Sequence, residues 1–439
     1  MWDKLNKPVD NATLVLFRIF FGLVFLCESV GSFITGWITD NFASVQTNFT
    51  FMGFEWLEFL ADSNYAYIVF GLMAICSFNI IMGYKYRISM ISLCILWGMI
   101  YFGQKTSYNN HYYLMWLFTF IMCFLPANAH TSIDAKLNPK IKAFTCPQWM
   151  LTIFIVMMSF VYGYATIAKF YSDWLDGTVT KNMFQSINFP EFSHFIFKHE
   201  YFAYFIAYMG ICFDGLIIPA LLYKRTRKWA IIASLIFHIF NSITLQIGVF
   251  PYFSLAMSIF FFPPEQIRSF FFRKLKIEDI SIEQINHKVY KKMLYYVFTP
   301  FIILQFLLPL RHWAIKGNVL ETEEGHRLAW RMMLRSRSGE AQFKIIDKES
   351  GNTSFFDNGK LLNQKQRNRL NSPDVIWQMA QKIKDYYTKE GKQVEIYCVN
   401  SGVAVNNTFY TQTINPKVDL AEAKWHWYKH EDWIEIVKQ

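Results

Sequence analysis

The sequence predicts a polytopic α-helical membrane protein with a C-terminal extracytoplasmic α+β domain. Three observations predict it. Of 439 residues, 53% are hydrophobic and only 17% charged, against about 25% charged in a typical soluble domain. The apolar residues lie in long runs, as membrane spans require. From Arg311 onward the composition turns polar. The same features exclude disorder, a coiled coil, a small disulfide scaffold and an ordinary soluble enzyme.

A bilayer core takes roughly 20 apolar residues per helix, and about nine runs meet or approach that length. They cover residues 13–37, 66–83, 88–103, 111–127, 149–171, 201–223, 229–247, 252–262 and 294–310. The eighth is the shortest, and Pro263-Pro264 ends it. Basic residues orient the spans. Lys4 and Lys7 precede the first, and Lys85 and Arg87 follow the second. Lys136, Lys140 and Lys142 follow the fourth, Lys224, Arg225, Arg227 and Lys228 the sixth, and a basic stretch from Arg268 to Lys292 the eighth. The alternate connections hold only Lys105, Lys181 and Lys198. This asymmetry puts the N-terminus inside and, with nine spans, the C-terminus outside. The expected division is a transmembrane domain over 1–310 and an outer domain over 311–439. In the outer domain, 341–347 and 394–399 read as strands. Ser372 as N-cap, Pro373 in the first turn and Gly391 as stop bracket a helix.

Other signals are weaker. Asn48-Phe-Thr, Asn352-Thr-Ser and Asn406-Asn-Thr match the glycosylation triplet in segments placed outside. The first apolar run is too long for a cleavable signal peptide and lacks a small-residue cleavage site. The seven cysteines lie mostly in or beside apolar runs without metal-ligand spacing, so they read as small buried residues. The net charge of +10 comes from loops between spans, which argues against nucleic-acid binding.

Ionisable and polar side chains within spans each ask for an explanation. Lys169 stands near the outer end of the fifth span and shares a helix face with Ser159, Tyr162 and Thr166. Two readings stand: a lysine snorkelling to the interface, or a desolvated general base. Asn109, Asn110 and His111 begin the fourth span at the same depth, as a plain polar loop or as partners of Lys169. His238, Asn241, Ser242 and Gln246 form a stripe on the seventh span. It serves either interhelical hydrogen bonding or the lining of a pocket. Arg18 and Asp214, toward the inner half of spans one and six, are expected to pair. Glu28 lies nearer the outside, facing the pocket or a polar neighbour.

At these residues the chain resembles the vitamin K-dependent γ-glutamyl carboxylase family, whose membrane part is the HTTM domain. Four stretches carry the resemblance, which runs through nearly the whole chain. They are Lys105-Thr-Ser-Tyr-Asn-Asn-His111; Ile167-Ala-Lys-Phe-Tyr-Ser-Asp-Trp-Leu-Asp-Gly177; Phe237-His-Ile-Phe-Asn-Ser242 with Ile247-Gly-Val-Phe250; and a C-terminal set. That set comprises His326, Trp330-Arg-Met-Met333, Ser336-Arg-Ser338, Pro416-Lys-Val-Asp-Leu420, Trp425 and Trp433. The resemblance implies γ-carboxylation of peptide glutamate coupled to oxygenation of reduced vitamin K to its 2,3-epoxide. A lysine base deprotonates the hydroquinone, and the resulting alkoxide removes the glutamate γ-proton before CO2 adds. No metal or biotin is implied; O2 and CO2 are co-substrates.

By the same resemblance Lys169 is the base, with Asn110 and His111 supporting it. Asn109, His238, Asn241 and Gln246 line the quinone pocket, and Trp330, Met332, Met333 and Arg337 meet the glutamate substrate. Arg337 is expected either to hold a carboxylate bidentately or to be a surface arginine. Two departures stand out. Ala168 precedes Lys169 where animal members often have Lys-Lys, and the chain ends at Gln439 where they continue into a propeptide-gripping region. Propeptide-directed substrate choice is therefore not expected. The expected location is a bacterial inner membrane with the C-terminal domain periplasmic, the alternative being the endoplasmic reticulum with that domain lumenal. Two other functions remain open: a quinol epoxidase without protein carboxylation, and a non-catalytic quinone- or lipid-binding membrane protein or transporter.

Overall fold

The computed structural model describes residues 2–185, 187, 191, 194–197, 199–245, 247–273, 287–406 and 409–436. Its apolar helices, in chain order, are α1 (Ala12–Ile34), α2 (Tyr65–Met82), α3 (Tyr86–Gly103), α4 (Asn110–Phe124), α5 (Trp149–Ala168), α6 (Glu200–Leu222), α7 (Arg227–Leu245), α8 (Phe250–Phe261) and α9 (Lys288–Ala314). Seven of them are long and apolar enough to cross a membrane; α4 and α8 are shorter. Leu125 is extended at the end of α4 because Pro126 follows it. At 15 residues α4 reaches about 22 Å, less than the ~30 Å hydrocarbon core. Both short helices are wedged among longer ones.

Successive helices pack side by side, α1 on α2, α3 on α4, and α5 on α6, while α8 returns against α1 and α5. Gly22 permits the close approach of α1 to α2, since a Cβ there would stand 2.7 Å from Ile81. The bundle core is aromatic. Phe154 stacks on Phe260 at 4.3 Å, and Phe17 meets Phe154 edge-on at 5.1 Å. Phe253 of α8 is fully buried beside Phe118.

Arg18 and Asp214 do not pair. The buried Arg18 guanidinium donates to the carbonyls of Thr131 (2.8 Å), Ile81 (3.3 Å) and Ala127 (3.4 Å). Ile81 closes α2 and Ala127 lies just past α4. Backbone carbonyls at the end of α2 and in the loops after α4 hold both terminal nitrogens, so Arg18 is anchored without a carboxylate, with Nε left unpartnered. Gly83, at φ +62°, makes the turn out of α2 directly against Arg18. Glu28 accepts from the Tyr112 hydroxyl at 2.5 Å.

In the membrane part, strands β1 (Pro8–Asp10) and β2 (Thr145–Pro147) pair antiparallel, and the C-terminal part holds two further antiparallel sheets. Strands β3 (Arg337–Gly339), β4 (Gln342–Asp347), β5 (Thr353–Phe355), β6 (Val394–Asn400), β7 (Gly402–Val405) and β8 (Thr411–Gln412) form the orders β5-β4-β6 and β3-β7-β8. Helix α10 (Pro373–Lys389) packs on β6. The expected strands and helix are thus present. Ser372 occupies the N-cap position, but its side chain makes no cap bond; its hydroxyl turns to Asn371 instead.

The two parts interpenetrate. Phe49, between α1 and α2, is fully buried in the core of the C-terminal domain with Phe343 and Ile376. Trp330 is fully buried in the core of the bundle, 5.2 Å from the ring of Tyr113. Asn48 is also fully buried, accepting from Gln104, and Asn406 is buried and donates to Asp173. Those two glycosylation triplets are therefore closed to a transferase, whereas Asn352 is exposed.

Candidate active site

Lys169 is the residue at which α5 ends, and it is buried. Its Nζ donates to Asp214 Oδ2 of α6 at 2.6 Å and to the Ala165 carbonyl at 3.2 Å, and lies 5.2 Å from the ring of Trp174. The snorkelling reading is overturned, because the amino group points at the buried Asp214 side chain and not at solvent. Asp214 stands some 14 residues into α6, which suggested the opposite depth. Instead, α6 starts above the end of α5, alongside the short helix Thr178–Gln185.

Two turns before Lys169 on the same face, the Tyr162 hydroxyl bonds His238 Nε2 of α7 at 3.2 Å. The His111 ring, at the start of α4, stacks on Phe250 at 3.7 Å, and His238 meets the same Phe250 edge-on at 6.1 Å. The polar stripes of spans four, five and seven thus converge around one phenylalanine. In both histidines Nδ1 is buried without a hydrogen-bond partner. An orphaned ring nitrogen in an apolar setting is costly, and it marks a place where a polar ligand atom would fit.

Above His111 lies a cavity of about 240 Å³ between the bundle and the C-terminal domain. Asn109, Asn110 and His111 form its floor, and His326, Arg331, Met332, Met333 and Arg337 come from the facing segment. Asn109 caps α4, accepting from Tyr112 N at 2.7 Å. Asn110 is tied across the gap, accepting from the Tyr108 hydroxyl and donating to the Arg331 carbonyl at 3.2 Å. Lys105, Arg327, Arg335 and Arg369 bring further positive charge; among described residues Glu323 is the one carboxylate in the wall. Leu328, Trp330 and Met333 all have φ between +52° and +62°. Left-handed backbone at three non-glycine residues is strain that the surroundings must hold in place.

The individual expectations fare differently. Asn109, Asn110, His111, Met332, Met333 and Arg337 share the cavity wall, while Lys169 lies outside it with Asp214. Trp330 is plugged into the bundle and Asn241 is half-buried on α7. Gln246 lies outside the described residues. Arg337 is no surface arginine: it is fastened to the carbonyls of Asn371, Leu320 and Glu321 at 2.7–3.1 Å, with Glu323 at 3.5 Å. Arg331, by contrast, is buried with Nε unpartnered and only a long contact, 3.4 Å, to His312. Burial and neighbouring Arg335 pull its guanidinium down to about 10, so it stays charged at neutral pH. Burial, then the surrounding arginines, hold His326 well below the ordinary histidine range, so it is neutral there. His326 Nδ1 is likewise unpartnered.

A helical bundle with seven helices able to cross a membrane, carrying a buried lysine and two histidines under a cation-walled cavity, defines an integral membrane protein with a candidate active site at one end. Residues 6–265 match the family model of the HTTM domain. Residues 290–439 match that of the vitamin K-dependent gamma-carboxylase lumenal domain. The chain belongs to the vitamin K-dependent gamma-carboxylase family. That family carboxylates glutamate-containing substrates using reduced vitamin K, O2 and CO2. No solved structure matches the chain.

Proposed function

We propose that the protein is a peptidyl-glutamate carboxylase that couples γ-carboxylation to epoxidation of reduced vitamin K. The observation that carries this reading is the buried Lys169–Asp214 pair beside two histidines with unpartnered Nδ1 atoms. The residues present fit a naphthohydroquinone. Phe250, His111 and His238 offer an aromatic face, and the two orphaned nitrogens suit its hydroxyls. Reduced vitamin K bound there would supply, on oxygenation, the base that removes the γ-proton of glutamate. Lys169 accepts the hydroquinone proton, and Asp214 neutralises the ammonium that forms. Asn110 holds the floor of the cavity against the C-terminal segment. The apolar bundle around Phe250 keeps water away.

The glutamate peptide enters the cation-walled cavity, with Met332 and Met333 against its side chain and Trp330 anchoring their segment. Arg331 takes the place expected of Arg337 as carboxylate holder, because its Nε is free and the Arg337 donors are occupied. The basic connections at the opposite end support an orientation with this cavity outside the cytoplasmic membrane, in a bacterial inner membrane.

The occupied Arg337 also favours a second reading, a quinol epoxidase without protein carboxylation. One assay separates the two. Purified protein in nanodiscs receives reduced vitamin K, oxygen, labelled bicarbonate and a glutamate peptide, and epoxide and fixed label are scored separately. The expected result is both products, each reduced by about 10²–10⁴-fold in Lys169→Ala. Epoxide without label across a panel of peptides establishes the second reading. Near wild-type activity in Lys169→Ala removes the lysine from the mechanism.

A further inference from the structure

The cavity above His111 carries more positive charge than the nearby carboxylates neutralise. Lys105, Arg327, Arg331, Arg335, Arg337 and Arg369 line it. Four of these six are paired. Asp374, behind the wall, meets Arg327 at 3.0 Å and Lys105 at 3.1 Å. Glu323 meets Arg335 at 2.6 Å and Arg337 at 3.5 Å. Arg331 and Arg369 are in no ion pair among the described residues.

The two differ in depth. Arg331 is 8% exposed, with Nε unpartnered. Arg369 is exposed at the cavity mouth, and its guanidinium makes no hydrogen bond among the described residues. The charged side chains that act on it, Arg327, Arg335 and Lys365, all share its sign. Its backbone is nonetheless fixed. The Arg369 amide donates to the Gln366 carbonyl at 2.9 Å. Two residues on, the Asn371 carbonyl accepts from Arg337 at 2.7 Å, and Asn371 Nδ2 donates to the Arg337 carbonyl at 3.1 Å. A cation held in place among like charges favours an incoming anion. His326 lines the same wall, buried and with Nδ1 unpartnered, so the cavity offers further unmet polar capacity.

We propose that Arg369 binds a second carboxylate of the substrate, so that the protein selects peptides in which another acidic side chain, aspartate or glutamate, flanks the target glutamate. The inference rests on the reading of Arg331 as holder of the target carboxylate. Arg331 takes the target in depth, and Arg369 takes its neighbour at the mouth. Because both cations line one cavity, a single peptide reaches both.

The test measures affinity directly, so it reads binding even in a protein that fixes no label. Full-length protein in nanodiscs is titrated into two fluorescent peptides and followed by anisotropy. Both carry the same target glutamate, flanked by aspartates in one and by asparagines in the other. Wild-type protein is expected to bind the aspartate-flanked peptide about fivefold more tightly, the upper range for an exposed ion pair. Arg369→Gln is expected to bring the two affinities together by weakening the aspartate-flanked peptide alone. Its exposed, partnerless side chain lets the variant fold, and the unfolding temperature is the check. Arg367→Gln, exposed on the same segment but outside the cavity wall, is expected to keep the preference. Arg331→Ala is expected to weaken both peptides alike, by roughly 10–100-fold. A preference that survives in Arg369→Gln, or that Arg367→Gln loses equally, overturns the assignment. So does wild-type binding without preference, which leaves the peptide cavity standing. Binding of neither peptide by wild type overturns the peptide-substrate reading and this inference together.

Discussion

Arg331 and Arg337 lie six residues apart and face one cavity, yet their chemistry differs. The Arg337 donors meet the carbonyls of Asn371, Leu320 and Glu321, with Glu323 close by, so the residue staples β3 to the loops at Leu320 and Asn371. Arg331 lines the cavity and keeps a buried, unpaired Nε. Arg331→Ala is therefore expected to raise KM for a glutamate peptide by roughly 10–100-fold, the worth of a charge-assisted hydrogen bond, with epoxide formation much less affected. Arg337→Ala is expected to lower stability by on the order of 3 kcal/mol, visible as a reduced Tm. Matched KM effects at both positions, with unchanged stability, would refute the distinction. Part of this arrangement was legible in sequence: Lys169, His111, Asn110 and His238 stand out as polar groups in apolar runs, and His111 and His238 meet at Phe250 while Lys169 stands apart with Asp214. The partner of Lys169 was not legible. Assigning Asp214 to Arg18 rested on counting depth along each apolar run, and that fails when a helix such as α6 begins above the end of its neighbour. It fails again when a charge such as Arg18 is held by backbone carbonyls, which carry no sequence signature.

Among the elements, α10 clamps the C-terminal domain to the bundle through a buried charge cluster. Asp374 in its first turn meets Lys105 at 3.1 Å and Arg327 at 3.0 Å, all three largely buried. Gln378, one turn on, donates to the Thr50 carbonyl at 3.2 Å. Burial pushes the Asp374 carboxyl up, but Arg327 and Lys105 outweigh it and hold the group well below the usual carboxylate range. A carboxyl depressed on folding contributes stability that is present above its unfolded value, near 4, and is lost as pH falls through the lower folded value. Asp374→Asn leaves two buried cations facing a neutral amide. It is expected to cost roughly 3–5 kcal/mol between pH 5 and 8, with the gap to wild type closing in stronger acid. Coincident unfolding midpoints of the two proteins between pH 5 and 8, or a gap that stays unchanged into stronger acid, would refute the clamp. The helices and strands themselves were readable from apolar runs and β-branched stretches, because local pattern sets them. The clamp was not, since Lys105 and Asp374 are 269 residues apart and nothing local joins them.

At the scale of the whole molecule, the two parts are built to fold together. Phe49 leaves the connection between α1 and α2 to complete the C-terminal core, and Trp330 leaves the C-terminal part to complete the bundle core. Removing either partner opens a hole the size of an aromatic side chain, a loss of about 3–5 kcal/mol, which is a large share of a domain's net stability. The two family regions meet between residues 265 and 290, so the last span α9 travels with the C-terminal domain. A cut within 274–286 therefore separates the chain into pieces that each lack the other's aromatic. The 287–439 fragment expressed alone is expected to be unstable and protease-sensitive, because Phe49 and the Lys105 clamp are both missing. Co-expressed with 1–274 it is expected to co-purify, since the aromatic exchange and the Asp374 contacts do not need the covalent link. Pull-down with a tag on one fragment, followed by the epoxide and carboxylation assay, reads the outcome. A stable, monodisperse 287–439 fragment would show that the exchange is packing detail. Failure of the co-expressed pair to associate would show that the covalent connection, and not the interpenetrating cores, holds the halves together.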